Sequence, residues 1–456
     1  MPNPTNNEMI LQELKDSQFQ KVKVGIVDMD GVLRGKYMHK DKFLSAVDGG
    51  FGFCDVVFGW DIGDVCYDNV KITGWHSGYP DAPARVDLNT YRQIPWEDGQ
   101  PFFLADFSDD TGTRTPVCPR QLLRQVIKKA EGMGFIPKFG PEFEWFNFKE
   151  TPETLAEKGF QNLTPLTPGM FGYSVLRAGL NRDYFAALMD DMLDFGVPLE
   201  GLHTETGPGV YEAAIAVTDA LSAADRSVLF KTSAKEIAYE FGVVPTFMAK
   251  INMALPGCSG HLHQSLWDSA DSENLFYDPD DVHKMSTTFR SYLAGQLKLL
   301  PELLPFYAPT INSYKRLVEG HWAPTKVTWG VDNRTVAFRV IPGSSKSTRV
   351  EMRVTGSDIN PYLAMAAALA SGLYGIENGL SLDMPQTQGN GYQATDAEIL
   401  PGTLSAATER LAQSELAHEL LGHDFVSHFV QTRRWESRQS HETVTDWELK
   451  RYFELV

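Results

Sequence analysis

Three stretches of this chain place charged side chains at every second position. In Arg349-Val350-Glu351-Met352-Arg353, a strand would carry the guanidinium groups and the carboxylate on one face and Val350 and Met352 on the other. Phe139-Gly140-Pro141-Glu142-Phe143-Glu144-Trp145 does the same with two carboxylates, and Gly260-His261-Leu262-His263-Gln264-Ser265 with two imidazoles and a hydroxyl. A fourth stretch, Glu205-Thr206-Gly207-Pro208-Gly209-Val210-Tyr211-Glu212, sets two acids on either side of a turn sequence, so both can converge. Together Glu142, Glu144, Glu205, Glu212, His261 and Glu351 form a hard, oxygen-rich donor set. Such a set suits Mg²⁺ or Mn²⁺ better than Zn²⁺, and it is large enough for more than one ion.

Arg316, Arg334, Arg339, Arg349 and Arg353 crowd a short stretch of an otherwise acidic protein, interleaved with apolar residues. Planar guanidinium forks at this density point to phosphate and carboxylate recognition. No Gly-x-x-x-x-Gly-Lys loop accompanies them, so a nucleotide has to be held by metal and arginine. Neither a Ser-His-Asp nor a Cys-His elbow pattern is present.

The elements that position these groups follow from composition and periodicity. The 456 residues, 43% of them apolar, can bury a large core in two or three domains. A net charge of −18 disfavours nucleic acid and anionic membranes as partners. Cys54, Cys66, Cys118 and Cys258 have no metal-ligand or disulfide spacing, and no apolar signal segment opens the chain, so a reducing cytoplasm is the expected location. The longest apolar run, from Tyr362 to Leu373, is too short to cross a bilayer. Residues 21 to about 110 read as mainly strand and turn, with a hairpin formed by Val22–Asp28 and Gly31–Gly35. After the loop-like Asp109-Asp110-Thr111-Gly112 and Thr115-Pro116, a helical period begins at Arg120 and opens a larger α+β region. The expected division is therefore 1–115 and 116–456. Asn360-Pro361 predicts a capped, buried helix to about Gly379, and Leu404, Ala407 and Leu411 mark an amphipathic helix after Pro401.

In order along the chain, Phe139–Phe146, Gly257–Leu266, Asn312–Val318, Asp332-Asn333-Arg334, Arg349–Arg353 and Asn360–Leu363 resemble the signature segments of the glutamine synthetase family. The resemblance covers nearly the whole chain and is closest in character to γ-glutamylamide ligases. It implies a small β-grasp-like N-terminal domain and a large catalytic domain with a curved antiparallel sheet. By the same resemblance, Glu144, Glu205 and Glu212 would hold one metal, and Glu142, His261 and Glu351 the other. Arg316, Arg353 and the Gly257 backbone would bind L-glutamate. His263, Ser265, Arg334, Arg339 and Arg349 would face ATP, with Arg339 and Glu212 also counted as catalytic. The implied chemistry is transfer of the γ-phosphoryl group to the glutamate side chain, then displacement of phosphate by a nitrogen nucleophile. A dodecamer of two stacked hexameric rings, with active sites between subunits, is implied as well. No tyrosine occupies the Leu400-Pro401-Gly402 region where some relatives are adenylylated, so that modification is not expected.

Departures from the family pattern bear on the nitrogen donor. Where ammonia-using members read Arg-Leu-Val-Pro-Gly-Tyr-Glu, this chain reads Arg316-Leu317-Val318-Glu319-Gly320-His321-Trp322. An indole thus replaces the carboxylate that attracts and deprotonates ammonium. The family's Asp-Gly-Ser-Ser corresponds to Cys54-Asp55-Val56-Val57, which exchanges hydroxyls for apolar branches, and a family Asn near the glutamate main chain corresponds to Pro256. The expectation is a pocket shaped by Trp322, Val56 and Val57 for a small alkyl or aryl monoamine, with Asp55 taking the amine proton. The alternatives are an ammonia-using glutamine synthetase and, further off, a polyamine ligase or a catalytically silent scaffold.

Overall fold

The computed structural model describes residues 6–108 and 115–456. The loop expected at Asp109-Asp110-Thr111-Gly112 lies outside the described residues. Residues 21–107 build a five-stranded sheet in the order Leu33–His39, Lys21–Val27, Gln100–Phe107, Asp81–Ile94, Phe51–Cys54. The first two strands are the expected antiparallel hairpin, and Lys21–Val27 runs parallel to Gln100–Phe107. Two helices, Asn6–Asp16 and Lys40–Gly49, pack on this sheet, the second inside the stretch that the sequence reads as mainly strand and turn. Both are short, and only two residues of each are buried, Ile10 and Leu14 in one and Phe43 and Ala46 in the other. Tertiary contact, such as the Phe43 ring 4.8 Å from that of Phe103, stabilises what local pattern alone leaves weak.

The second sheet has nine strands. Its main path runs Trp329–Val331, Phe338–Ile341, Arg349–Met352, Leu262–Asp268, Phe135–Phe148, Val210–Ile215, Leu199–Thr204, with two short strands pairing against Phe135–Phe148. All neighbours are antiparallel except Trp329–Val331 with Phe338–Ile341. The apolar side chains of these strands, including Phe143, Trp145, Val350 and Met352, are buried in the core. Helices Pro119–Gly132, Ala220–Glu240, Thr287–Tyr307 and Pro361–Glu377 pack together there. The last of these starts at Asn360, whose side chain accepts from the Tyr362 amide, and is buried around most of its circumference, as expected. Its approach to Thr287–Tyr307 is close enough that a β-carbon on Gly375 would sit 2.0 Å from the Ser291 carbonyl oxygen. The amphipathic helix expected after Pro401 is Leu404–Gln413.

A buried ionic cluster ties the two sheets together. Arg120, at the start of helix Pro119–Gly132, donates to Asp106 (2.8 Å) and Asp87 (2.9 Å) on the first sheet. It also donates bidentately to Asp225 (2.8 Å twice) on helix Ala220–Glu240, and Asp225 accepts in turn from the Tyr362 hydroxyl. Among the described residues, no helix is long and apolar enough to cross a membrane.

Candidate active site

Strand alternation delivers the charged face that the sequence predicts. Glu142 and Glu144 project from Phe135–Phe148 opposite the buried Phe143 and Trp145, and antiparallel register extends their row sideways. Glu144 lies directly across from Glu212, which lies across from His203. On the other side, the Glu142 amide donates to the His261 carbonyl, His263 pairs with Glu351, and Glu351 pairs with Arg339. One sheet face therefore gathers all six residues expected to hold metal.

The groups divide into two clusters. In the first, donor atoms of His203, Glu205 and Glu212 lie within 4.8 Å of one another. Glu205 reaches this position because the Gly207-Pro208-Gly209 turn folds the chain back, with Gly207 and Gly209 both in left-handed conformation. Glu144 leans away, its carboxylate accepting from the Ser259 amide at 2.6 Å, yet its charge still acts on Glu212. Burial together with Glu144, Glu142 and Glu205 raises the Glu212 carboxyl to about 9. His203 is not among the residues expected from sequence. Neither is Tyr173, whose ring stacks on His203 with centroids 4.4 Å apart.

In the second cluster, donor atoms of Glu142, His263 and Glu351 lie within 4.8 Å of one another, and His261 Nδ1 is 3.4 Å from both carboxylates. The sequence expectation puts His261 with the acids and His263 with the nucleotide. In the structure both imidazoles face Glu142, with His263 Nε2 3.1 Å away. Burial opposes charge on Glu142, but the two imidazoles outweigh it and hold the carboxyl well below the ordinary range. Glu351, deeply buried, is held at about 2 by His261, Arg353 and His263. His261 itself is pushed down by burial and by Arg353, and its Nε2 is buried without a hydrogen-bond partner. An excess of carboxylates around one reluctant proton at Glu212, with an unpartnered imidazole nitrogen nearby, fits the requirements of divalent cations.

The arginines bracket these acids. Arg353 donates to Glu351 and, at 3.0 Å, to the Arg334 carbonyl, while Arg339 spans Glu351 (3.0 Å) and Asp332. Arg316 is buried and hydrogen-bonds the Val354 carbonyl (2.8 Å), the Ser259 hydroxyl (2.8 Å) and the Arg353 carbonyl (3.1 Å). Its hydrogen bonds among the described residues include none to a carboxylate. Gly257 packs so closely beside it that a β-carbon would lie 2.7 Å from Arg316 Cγ and 2.5 Å from the Ala249 carbonyl oxygen. Arg334 is exposed, and its charge acts on Asp332 and Tyr173.

Beside Glu142 opens a cleft of about 630 Å³ lined by His263, Ser265 and Arg349 together with Lys138 and Lys346. Arg349 donates to His263 Nδ1 at 3.0 Å, and His263 Nε2, 3.1 Å from Glu142, makes no hydrogen bond among the described residues. Ser265 accepts from the Trp267 indole at 3.0 Å. Arg334 and Arg339, expected with these residues, are not among the side chains that line this cleft.

The residues expected around the amine are spread more widely. Trp322 is 57% exposed and held in a left-handed conformation (φ 60°), so it is no core aromatic. Its backbone neighbours Tyr392, whose phenol also lies in the field of Arg353 and Arg316. Val56 is half-buried, whereas Val57 is only 3% exposed and packs in the core, turned away from any pocket on the surface of its own chain. Asp55 sits beside Thr73 and Asp81, where burial raises its carboxyl above the ordinary value. No hydrogen bond or ion pair among the described residues joins Asp55, Val56 or Val57 to the acid cluster of the same chain.

Residues 116–452 match the family model for the glutamine synthetase catalytic domain. The chain is 54% identical over 452 residues to type-1 glutamine synthetase 2 of Dictyostelium discoideum, spanning 98% of this chain and 86% of that one. It is 38% identical to glutamate–isopropylamine ligase of a Pseudomonas species, over 95% of each chain. The solved structure of a GmaS/ADP complex superposes with a TM-score of 0.84 at 27% identity, over 97% of this chain and 99% of that one.

Proposed function

The chain belongs to the glutamine synthetase family of ATP-dependent glutamate–amine ligases, and from that premise we propose that it joins the γ-carboxylate of L-glutamate to a small alkyl or aryl monoamine. The observation that carries the choice of donor is Trp322, an exposed indole whose backbone neighbours the Tyr392 phenol, itself in the field of Arg353 and Arg316. An indole cannot attract ammonium through charge or accept its proton, but it gives a hydrocarbon substituent a surface to pack on. The 38% identity to a protein named for isopropylamine supports this reading.

In the proposed mechanism, Arg316, Arg353 and the Gly257 backbone orient glutamate, while His263, Ser265 and Arg349 in the cleft hold the nucleotide, with Arg334 and Arg339 across the acids. A γ-carboxylate oxygen attacks the terminal phosphorus of ATP, the bond to the bridging oxygen breaks, and ADP leaves. Arg339 offsets charge on the transferring phosphoryl group. Glu144, Glu205 and Glu212, with His203, would hold one divalent cation, and Glu142, His261 and Glu351, with His263, another. When bound, Mg²⁺ or Mn²⁺ supplies charge neutralisation at the phosphates. The amine nitrogen then attacks the acyl carbon of γ-glutamyl phosphate, loses a proton to Asp55, and phosphate departs. Burial of Asp55 raises its proton affinity, in keeping with that role. Asp55 and Val56 act in this scheme on a neighbouring copy's site, Val57 backing them from the core, within a dodecamer of two stacked rings. Residues 1–115 would then form the domain that reaches across, and 116–456 the catalytic domain.

The test is ATP turnover with glutamate and a panel of ammonium, methylamine, isopropylamine, ethanolamine, aniline and putrescine. An organic monoamine should give the highest kcat/KM. The second reading, glutamine synthesis from ammonia, has in its favour the 54% identity to a protein named glutamine synthetase, and ammonium outperforming every organic amine would establish it.

A further inference from the structure

Lys250 is a buried cation that meets an imidazole instead of an acid. It is 3% exposed, and the hydrogen-bond partner of its ammonium among the described residues is His321 Nδ1, 3.2 Å from Nζ. An ammonium only donates, so His321 accepts through Nδ1 and carries its ring proton on Nε2. A buried charge without an acceptor is costly, and this contact supplies one.

The two partners belong to different parts of the site. The Lys250 amide donates to the Asn312 side chain at 2.8 Å, and that side chain donates back to the Lys250 carbonyl at 2.8 Å. Asn312 opens the short helix Ser313–Arg316. The residue before Lys250 is Ala249, whose carbonyl accepts from the Cys258 amide at 2.9 Å and would lie 2.5 Å from a β-carbon on Gly257, itself packed against Arg316. Lys250 is therefore built into the segments that carry Gly257 and Arg316. His321 closes the turn that follows the helix: its amide donates to the Val318 carbonyl at 3.2 Å, and Gly320 (φ 80°) and Trp322 (φ 60°) on either side are left-handed.

Other holds on this turn lead elsewhere. Lys326 faces Glu319 at 3.6 Å and donates to the Tyr392 carbonyl at 2.6 Å, and the Trp322 backbone neighbours the Tyr392 phenol. Both join the turn to the segment around Gly391–Gln393. The Glu319 side chain is 58% exposed, so its ion pair contributes little. The contact from His321 runs instead to the residues around Gly257 and Arg316.

We propose that Lys250 and His321 form a latch that sets where Trp322 stands relative to Arg316, which makes His321 a positioning residue for the nitrogen-donor pocket. The proposal rests on the reading of Trp322 as the side chain that meets the hydrocarbon of the donor. One peptide unit joins residues 321 and 322, so holding the imidazole limits how far the indole can travel from the Lys250 and Asn312 pair. Such a hold acts on the binding of the donor and leaves phosphoryl transfer alone.

The test compares H321F, which keeps a ring and removes the acceptor, with H321N, whose side-chain oxygen replaces Nδ1, both in the full-length assembled enzyme. H321F should raise the isopropylamine KM by roughly ten-fold, with the ATP and glutamate KM and the kcat/KM for ammonium near wild type, and H321N should restore it. Hydrogen exchange over residues 318–322, read by mass spectrometry, should quicken in H321F and return to the wild-type rate in H321N. In the double variant K250M/H321F the isopropylamine KM should match that of either single variant, since both remove the same contact. The inference is overturned by an H321F isopropylamine KM or exchange rate near wild type, by H321N as impaired as H321F, by additive effects in the double variant, or by ATP and glutamate KM rising in parallel. Wild-type enzyme that uses ammonium better than every organic amine would instead overturn the functional reading beneath it, and the exchange rates would still report whether the contact holds the turn.

Discussion

Glu144 and Glu212 face each other across neighbouring antiparallel strands, and the charge of the first helps keep a proton on the second. Burial and the surrounding acids lift Glu212 from 4.5 to about 9, so the metal-free folded chain retains a proton that the unfolded chain has released throughout that interval. Stability contributed by this group is therefore full below about pH 4.5 and falls as pH climbs toward 9. Divalent cation should remove the effect. Mg²⁺ binding at pH 7 should release close to one proton, read by calorimetry in buffers of differing ionisation enthalpy. It should also stabilise the fold by about 2.7 kcal/mol at a hundred-fold excess over Kd. E212Q should flatten the pH slope of the metal-free thermal midpoint and abolish the proton release.

Trp322 should govern which nitrogen donor is used. W322E restores the carboxylate that the family pattern of ammonia-using members carries there, so kcat/KM for ammonium should rise while that for isopropylamine falls by roughly ten-fold or more, in line with the ~1–3 kcal/mol that a small apolar contact contributes to discrimination. Steady-state kinetics with both donors at saturating ATP and glutamate checks the direction of each change. A parallel loss for both donors would place Trp322 in a purely structural role.

Gly257→Ala should displace Arg316, because the new methyl group would overlap Arg316 Cγ and the Ala249 carbonyl. Overpacking of this kind costs about 1–3 kcal/mol, readable as a lower urea midpoint. The glutamate KM should increase by roughly an order of magnitude while the ATP KM stays near wild type, since His263, Ser265 and Arg349 lie on the other side of the acids.

Arg120→Ala should be the most destabilising of these changes. It strands the buried Asp225 without its guanidinium and leaves Asp106 with Arg124 as its remaining guanidinium, and loss of one partner from a buried ionic cluster costs about 3–5 kcal/mol. Urea unfolding followed by circular dichroism gives the value. Tyr362→Phe, which removes a single hydrogen bond to the Asp225 carboxylate, should cost less, about 1.5–3 kcal/mol.

Much of the charged face is legible in the sequence because strand alternation has period two and the signal residues are rare. Arg349, Glu351 and Arg353 alternate with Val350 and Met352, and the structure turns those two into the core. The turn between Glu205 and Glu212 is equally plain from its Gly-Pro-Gly core. His203 escapes because a lone imidazole has no visible partner until hairpin register sets it opposite Glu212. The alternation of Leu202-His203-Thr204-Glu205 is the one signal that points to it. Tyr173 escapes for a stronger reason: it reaches the site from an irregular segment through a contact distant in sequence, and no periodicity predicts that. Val57 shows the converse limit, since composition marks it as apolar but only packing tells that it faces the core.

The left-handed turn at Trp322 sets two pressures against each other during descent. A residue with a β-carbon in that conformation is disfavoured by roughly 1–2 kcal/mol relative to glycine, so random replacement by glycine or asparagine would relax the segment. A chain drifting without need of its ligand would shed the bulky ring and gain robustness. On the proposed role of Trp322, discrimination among nitrogen compounds and tolerance to heat compete at a single codon.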